Sequence, residues 1–342
     1  MEATMKRLLQ VAGARRLSPA SINLGRSDDP RLGTIFTDDF PSARVVLLGF
    51  PHDEGCTRNG GRPGAALGPQ AFRRFVTALG PIRNPEHEID LTTSLGGGVY
   101  DAGDVVAADS TLEGAHRALE EAVTLVLQAG KVPFIIGGGN DQSAPNGRGA
   151  YAYLDSTSHS SPLGIINIDA HLDVRPLLGE DHSIPHSGSP FRELLLHQRA
   201  LRTNGGAHFV EYACQGQQCS KEHADFVKEQ GGTLMWLTKD VHRVSESFPR
   251  AMDIAGEHIF VSFDIDAVQG SDCPGVSCPG NVGLSAQDAM DISRMAGRNP
   301  KVLLMDVSEL NPAVEDYRSP RLAVMMFYHF LIGLAERVQT RL

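Results

Sequence analysis

Two short stretches of this 342-residue chain carry acids at a spacing that suits metal chemistry: Asp169, His171 and Asp173 in "DAHLD", and Asp264 and Asp266 in "SFDIDA". In extended backbone, residues two apart point to the same side, so each stretch presents its polar side chains as one cluster. Each also follows an apolar run, "GIINI" or "HIFVSF", of the kind that forms a buried strand. Four carboxylates gathered at strand ends repel one another, and they stay protonated or unfold the site unless comparable positive charge sits among them. Two divalent cations carry that charge. Mostly oxygen donors with one imidazole suit Mn²⁺ better than Zn²⁺, which prefers nitrogen and sulfur, or Mg²⁺, which keeps its waters. A single aspartate of this kind usually caps a helix or closes a turn, but the joint pattern points to a binuclear manganese centre.

Two more apolar runs end in polar residues. "VPFII" leads through Gly137, Gly138 and Gly139 into Asn140 and Asp141, and "KVLLMDV" leads into "SELNP", which carries Glu309. Three consecutive glycines are costly in a helix or strand and imply a sharp turn or a close approach to the backbone. In open α/β sheets the ligand cleft lies at the carboxyl ends of the strands, so these four segments are expected to converge.

The elements that must position them follow from the pattern after Arg44, where short apolar runs alternate with longer amphipathic ones, as in a parallel sheet covered by helices on both faces. Seven strands are expected: "RVVLLGF", "VPFII", "GIINI", "AHFV", "LMWL", "HIFVSF" and "KVLLMDV". The clearest helix is "STLEGAHRALEEAVTLVLQAG", with Ser110 and Glu113 read as a capping box and Gly130 as its stop. Further helices are expected over 69–79, 190–201, 221–230, 286–296 and 320–341. With no repeat, low-complexity tract or linker, the chain reads as an N-terminal arm (1–40) and one catalytic α/β domain (41–342).

Composition narrows the function classes. A formal charge of -10 and a pI near 5.7 speak against nonspecific nucleic-acid binding, which needs basic surface. No apolar run approaches the ~20 residues needed to span a bilayer. Five cysteines, an odd number at low density, suit a reducing, cytoplasmic compartment, and their two C-x4-C pairs lack the C-x2-C spacing usual for structural zinc. The basic N-terminus leaves an organellar presequence open.

"GGGNDQS", "DAHLDVRP", "SFDIDA" and "SELNP", in that order and spacing, resemble the ureohydrolase family of arginase, agmatinase and formimidoylglutamase, from about Val45 to the final helix. The resemblance implies a single three-layer αβα domain with an eight-stranded parallel sheet, a homotrimer or homohexamer, and a pair of manganese ions activating a bridging hydroxide for C–N hydrolysis. By motif position, Asn140, Asp169, Asp173 and Asp264 would surround one ion, and Asp169, His171, Asp264 and Asp266 the other, with Asp169 and Asp264 bridging. Asn140 stands where most members place histidine, which implies weaker binding of that ion; Asp141 matches a non-ligand position. Asp173 would relay a proton to the leaving nitrogen, Glu309 would grip the amidine, and His186 in "IPHSGSPF" would shuttle protons. After Asp266 the chain departs from the D-P pair common in the family and reads "AVQGSDCPGVSCPG", which leaves the conformation of that loop open.

Arginine binds carboxylates through a planar fork, so Arg175 after "DAHLD", and Arg58, Asn59 and Arg62 in "RNGGRPGA", suggest a substrate with an acidic tail. Arg58 and Arg62 could equally pair with helix ends. These loops, with "HSGSPFR" and "PGVSCPG", look most like the formimidoylglutamase branch, which implies hydrolysis of N-formimidoyl-L-glutamate to L-glutamate and formamide in histidine degradation. Another guanidino substrate such as guanidinobutyrate or arginine, or a metal-poor relative without catalysis, stays open at this point. Cys56 and Cys273, in loops after different strands, could face each other across the site mouth and form a redox-sensitive disulfide; two ordinary free thiols are the slightly favoured alternative.

Overall fold

Eight strands, every neighbouring pair parallel, form one sheet in the computed structural model. The structure describes residues 2–17, 21–157, 161–198, 200 and 208–339. In chain order the strands are β1 Ala43–Phe50, β2 Gly98–Asp104, β3 Val132–Gly137, β4 Leu163–Ile168, β5 His208–Cys214, β6 Thr233–Trp236, β7 His258–Asp264 and β8 Val302–Ser308. Their spatial order is β6-β5-β4-β7-β8-β3-β1-β2. The four strands whose ends carry the motifs, β4, β7, β8 and β3, are therefore the central four. Chain-distant acids meet because the topology makes their strands neighbours.

The central strands and β1 read as largely unbroken apolar runs because both faces are covered. Along β1, Val45 and Leu47 pack into one core, while Val46, Leu48 and Phe50 pack into the other. The first core lies under α2 (Gly68–Val76), α6 (Val244–Ala255), α7 (Ala286–Arg298) and α8 (Arg318–Gln339). The second lies under α1 (Glu2–Ala12), α3 (Leu112–Gln128), α4 (Ser143–Ser156) and α5 (Lys221–Glu229). Part of the N-terminal arm is thus docked: Leu8, Val11 and Ala12 of α1 are buried, and Arg7 pairs with Glu121 of α3.

Three local readings change. The cap of α3 is Thr111, whose side chain accepts from the Gly114 N–H at 2.9 Å; Ser110 stands one residue outside in left-handed backbone. Edge strand β2 was not among the seven expected, since "GVYDAGD" has no apolar run. Helix α4 also escapes the pattern, with two glycines and a proline in "SAPNGRGAYAYLDS"; Pro145 falls in the first turn, where no intrahelical N–H is lost. Of the 190–201 helix, Pro190–Leu195 is observed, and residues 199, 201 and 340–341 of the expected helices lie outside the described residues. Among the described residues no helix is long and apolar enough to cross a membrane.

Candidate metal centre

Asp169, one residue past β4, is fully buried. Its Oδ1 accepts from the His171 backbone N–H at 2.7 Å and lies 3.2 Å from His171 Nδ1. The same imidazole nitrogen is 3.4 Å from Asp266 Oδ2. Asp264, the last residue of β7, accepts the Asp266 backbone N–H at 2.9 Å, a tight turn that aims both carboxylates the same way. The ligand-type atoms of Asp169, His171 and Asp173 lie within 4.8 Å of one another, and so do those of Asp169, Asp264 and Asp266. Asp169 belongs to both groups, the arrangement expected of a bridging ligand.

The charges are unbalanced by protein groups. Among the described residues no lysine or arginine pairs with any of these acids, and the buried Asp266 Oδ1 has no hydrogen-bond partner. Burial, then repulsion from Asp169, pushes the Asp173 carboxyl well above its usual range; burial and Asp266 do the same to Asp264. Burial also raises Asp266, against the pull of His171. For Asp169 burial works upward, but the hydrogen bond and charge of His171 outweigh it and the carboxyl ends lower. His171 is driven far up, chiefly by Asp266. The donor set, one nitrogen among carboxylate oxygens with one oxygen orphaned, fits a pair of hard divalent ions.

Asn140 is placed by the glycine turn after β3. The Gly138 and Gly139 N–H groups donate to the Phe50 and His52 carbonyls at 3.0 and 2.9 Å, and a Cβ on Gly138 would sit 2.1 Å from the His52 oxygen. The close approach is therefore to the loop after β1. The Asn140 Nδ2 donates to Asp173 Oδ2 at 2.7 Å, while its Oδ1 accepts from the Ser143 and Ser308 hydroxyls, both at 2.9 Å. Amide oxygen and nitrogen exchange by a flip. Since hydroxyls also accept, the flipped amide would put Oδ1 beside Asp173, facing the centre. Beneath it, Ser143 reaches Ser262 and Asp306, whose buried carboxyl is pushed up to about 7 by burial. Asp141 turns away and pairs with His116 of α3 at 2.7 Å.

Glu309 reaches the cleft from the turn after β8, in left-handed backbone at φ 63°. Its Oε1 accepts from the Asn140 backbone N–H at 2.9 Å and from the Cys56 thiol at 3.1 Å, and burial pushes its carboxyl up to about 7. The cleft, about 220 Å³, is lined by His171, Asp173, Asp264, Asp266 and Glu309 together with Asn59, Arg175 and Ser187, while the buried Asp169 and Asn140 lie behind this lining. Arg175 is exposed, and among the described residues no acid pairs with it. The other proposed cations sit elsewhere. Arg58 is spent on Glu54, Glu113 and the Pro185 carbonyl, and Arg62 on the Val276 and Ser277 carbonyls; neither lines the cleft. They fasten loops. Nor does His186 line it: its Nδ1 accepts from the Gly188 N–H at 3.2 Å, and its Nε2 lies 3.0 Å from the Pro176 carbonyl. Burial lowers its pKa, so the ring is a neutral brace for the 176–188 loop.

Of Cys56 and Cys273, only Cys56 lines the cleft. All five cysteines are free, Cys273 is buried without lining the cleft, and Cys278 and Cys219 share the cleft with Cys56. Burial and the Glu309 carboxylate push the Cys56 thiol well up, the reverse of an activated thiolate. Sequence reasoning missed Ser187, Gln218, Cys219, His223, Ser277 and Cys278 as lining residues. The turn-rich "CPGVSCPG" and "CQGQQCS" after β7 and β5 hinted at Ser277, Cys278, Gln218 and Cys219, and "HSGSPFR" at Ser187, but nothing hinted at His223.

The Arginase family matches residues 43–333, and the chain belongs to that family. Among its relatives is the formimidoylglutamase of Rhodococcus jostii, 31% identical over 299 residues, covering 84% of each chain. The formiminoglutamase of Trypanosoma cruzi, solved with two Mn²⁺ ions, superposes with a TM-score of 0.84 at 50% identity, covering 91% of this chain and 100% of that one. The formimidoylglutamase of Bacillus subtilis, 22% identical over 93% of this chain and 96% of that one, shares the fold at a TM-score of 0.77.

Proposed function

We propose that this chain hydrolyses N-formimidoyl-L-glutamate to L-glutamate and formamide, the C–N cleavage named by its relatives, with two Mn²⁺ ions held by Asn140, Asp169, His171, Asp173, Asp264 and Asp266. The observation that carries the reading is a polar contrast within one cleft: among the described residues its acids pair with no lysine or arginine, and Arg175 pairs with no acid. When bound, the two cations neutralise the floor and supply the Lewis acidity that makes water a nucleophile at neutral pH.

The chain's own groups do the rest. Glu309 is held by the Asn140 N–H and the Cys56 thiol, and one face of its carboxyl is turned to the cleft, where it orients the substrate's amidine group. Asp173, kept protonatable by burial, can pass a proton to the leaving nitrogen. Arg175 takes a carboxylate and fixes the substrate's direction. We place the reaction in histidine degradation in the cytoplasm, in agreement with five free cysteines, and in a trimer or hexamer, which light scattering would check. Incubating the Mn²⁺-loaded protein with N-formimidoyl-L-glutamate, guanidinobutyrate and arginine in parallel tests the reading. Formamide should appear from the first, and urea from neither of the others; urea release without formamide would overturn it.

A further inference from the structure

The proposed substrate carries two carboxylates, and Arg175 accounts for one. We propose that His223 determines specificity by receiving the second carboxylate. The inference rests on the function proposed above and extends it to a residue outside the family motifs.

His223 lies in the first turn of α5 and lines the same cleft as Arg175, Gln218 and the acids of the floor. Its backbone N–H donates to the Ser220 hydroxyl at 3.2 Å, which fixes the turn that carries it. The ring is half-buried, and among the described residues it has no hydrogen-bond partner. Burial, with Arg175 and Arg192 nearby, holds its pKa below the ordinary value, so near neutral pH it offers an N–H without a charge. Arg192 itself is committed: its Nε donates to the Val174 carbonyl at 2.7 Å and its guanidinium lies 3.8 Å above the Phe226 ring. Arg175, Gln218 and His223 are thus donors left for an anion on this wall, and of the three only Arg175 and His223 carry a charge or can take one up.

The opposite side of Arg175 is shaped to keep it there. Its backbone N–H donates to the Gly188 carbonyl at 2.8 Å. A Cβ on Gly188 would lie 2.9 Å from both Arg175 Cδ and Asn59 Nδ2, so the missing side chain lets these two groups stand together. A substrate with its amidine at the acidic floor presents its carboxylates away from the floor, where Coulomb repulsion sends them. One then meets Arg175 with Asn59, and the other, two methylenes away along the side chain, meets His223.

Steady-state kinetics on the Mn²⁺-loaded protein test this with two substrates. For N-formimidoyl-L-glutamate, His223→Ala should raise KM about tenfold to a hundredfold, the loss of a hydrogen bond to a charged group, with kcat and manganese content unchanged. For N-formimidoylglycine, which has a single carboxylate, wild type and variant should share one KM. His223→Gln, which keeps an N–H donor, should recover most of the loss. An equal change in KM for both substrates, or none for either, overturns the assignment while leaving the function intact. A wild-type protein that releases no formamide overturns the function, and this assignment with it.

Discussion

At the edge of the sheet, Asp101 and Asp104 of β2 close their buried carboxylates onto one guanidinium, Arg73 of α2, whereas at its centre Asp169, Asp173, Asp264 and Asp266 meet no lysine or arginine among the described residues. The edge cluster carries its own cation, although Asp104 Oδ2 has no hydrogen-bond partner and burial still raises that carboxyl. Arg73 donates to Asp101 at 2.9 and 3.0 Å and also to Asp104, and Gly49 clears the space, since a Cβ there would strike the Asp104 carboxylate. Burial alone would lower the Arg73 pKa, but the two aspartates outweigh it and hold the guanidinium charged. Among the described residues the only internal cation at the centre is one imidazole, and three of the four carboxyls are driven up. Buried acids that come with their own arginine are structure; buried acids that come without one leave room for a cation from outside.

The contrast can be broken at either end. The largest expected effect is on activity: Asp264→Asn should lower kcat/KM for formamide release by more than about a hundredfold, since even partners of metal ligands cost up to that much. Urea denaturation of the metal-free protein should show little loss, because the substitution relieves repulsion. At the edge the signs reverse. Arg73→Met should cost about 3–5 kcal/mol in the same denaturation experiment, the penalty for stranding buried charge, with manganese per folded chain unchanged. A fall in manganese content with Arg73→Met would mean that the two clusters are not independent. The smallest effect sharpens the centre alone: Asn140→His should slow manganese loss to a chelator by about tenfold, the lower end of what ligand-shell changes cost in metal affinity. An unchanged rate would make Asn140 a hydrogen-bond donor that fixes Asp173, as its present amide orientation has it.

The same contrast explains what could be read from the residues alone. The acids at the ends of β4 and β7 were legible because they interrupt long apolar runs at alternate positions, a pattern few other roles require. The edge cluster was not, since Asp101 and Asp104 lie in a glycine-containing stretch without an apolar run, and their partner is on a helix 28 and 31 residues back. Arg58 and Arg62 show the limit from the other side. Their loop does flank the cleft, through Asn59, Gly60 and Gly61, but side-chain direction is set by Glu54, Glu113 and the 276–277 carbonyls. His223 could not have been found, because "CQGQQCSKEH" differs in no way from an ordinary helix start until the fold turns it inward.

Anomalous diffraction at the manganese edge, from crystals grown with excess Mn²⁺, is the most direct test of the claim that the central acids exist to hold cations. Two peaks should appear, one within reach of Asp173 and one beside His171, with Asp169 and Asp264 touching both. A map without peaks, in which the same acids turn to lysines or arginines of the chain, would contradict it.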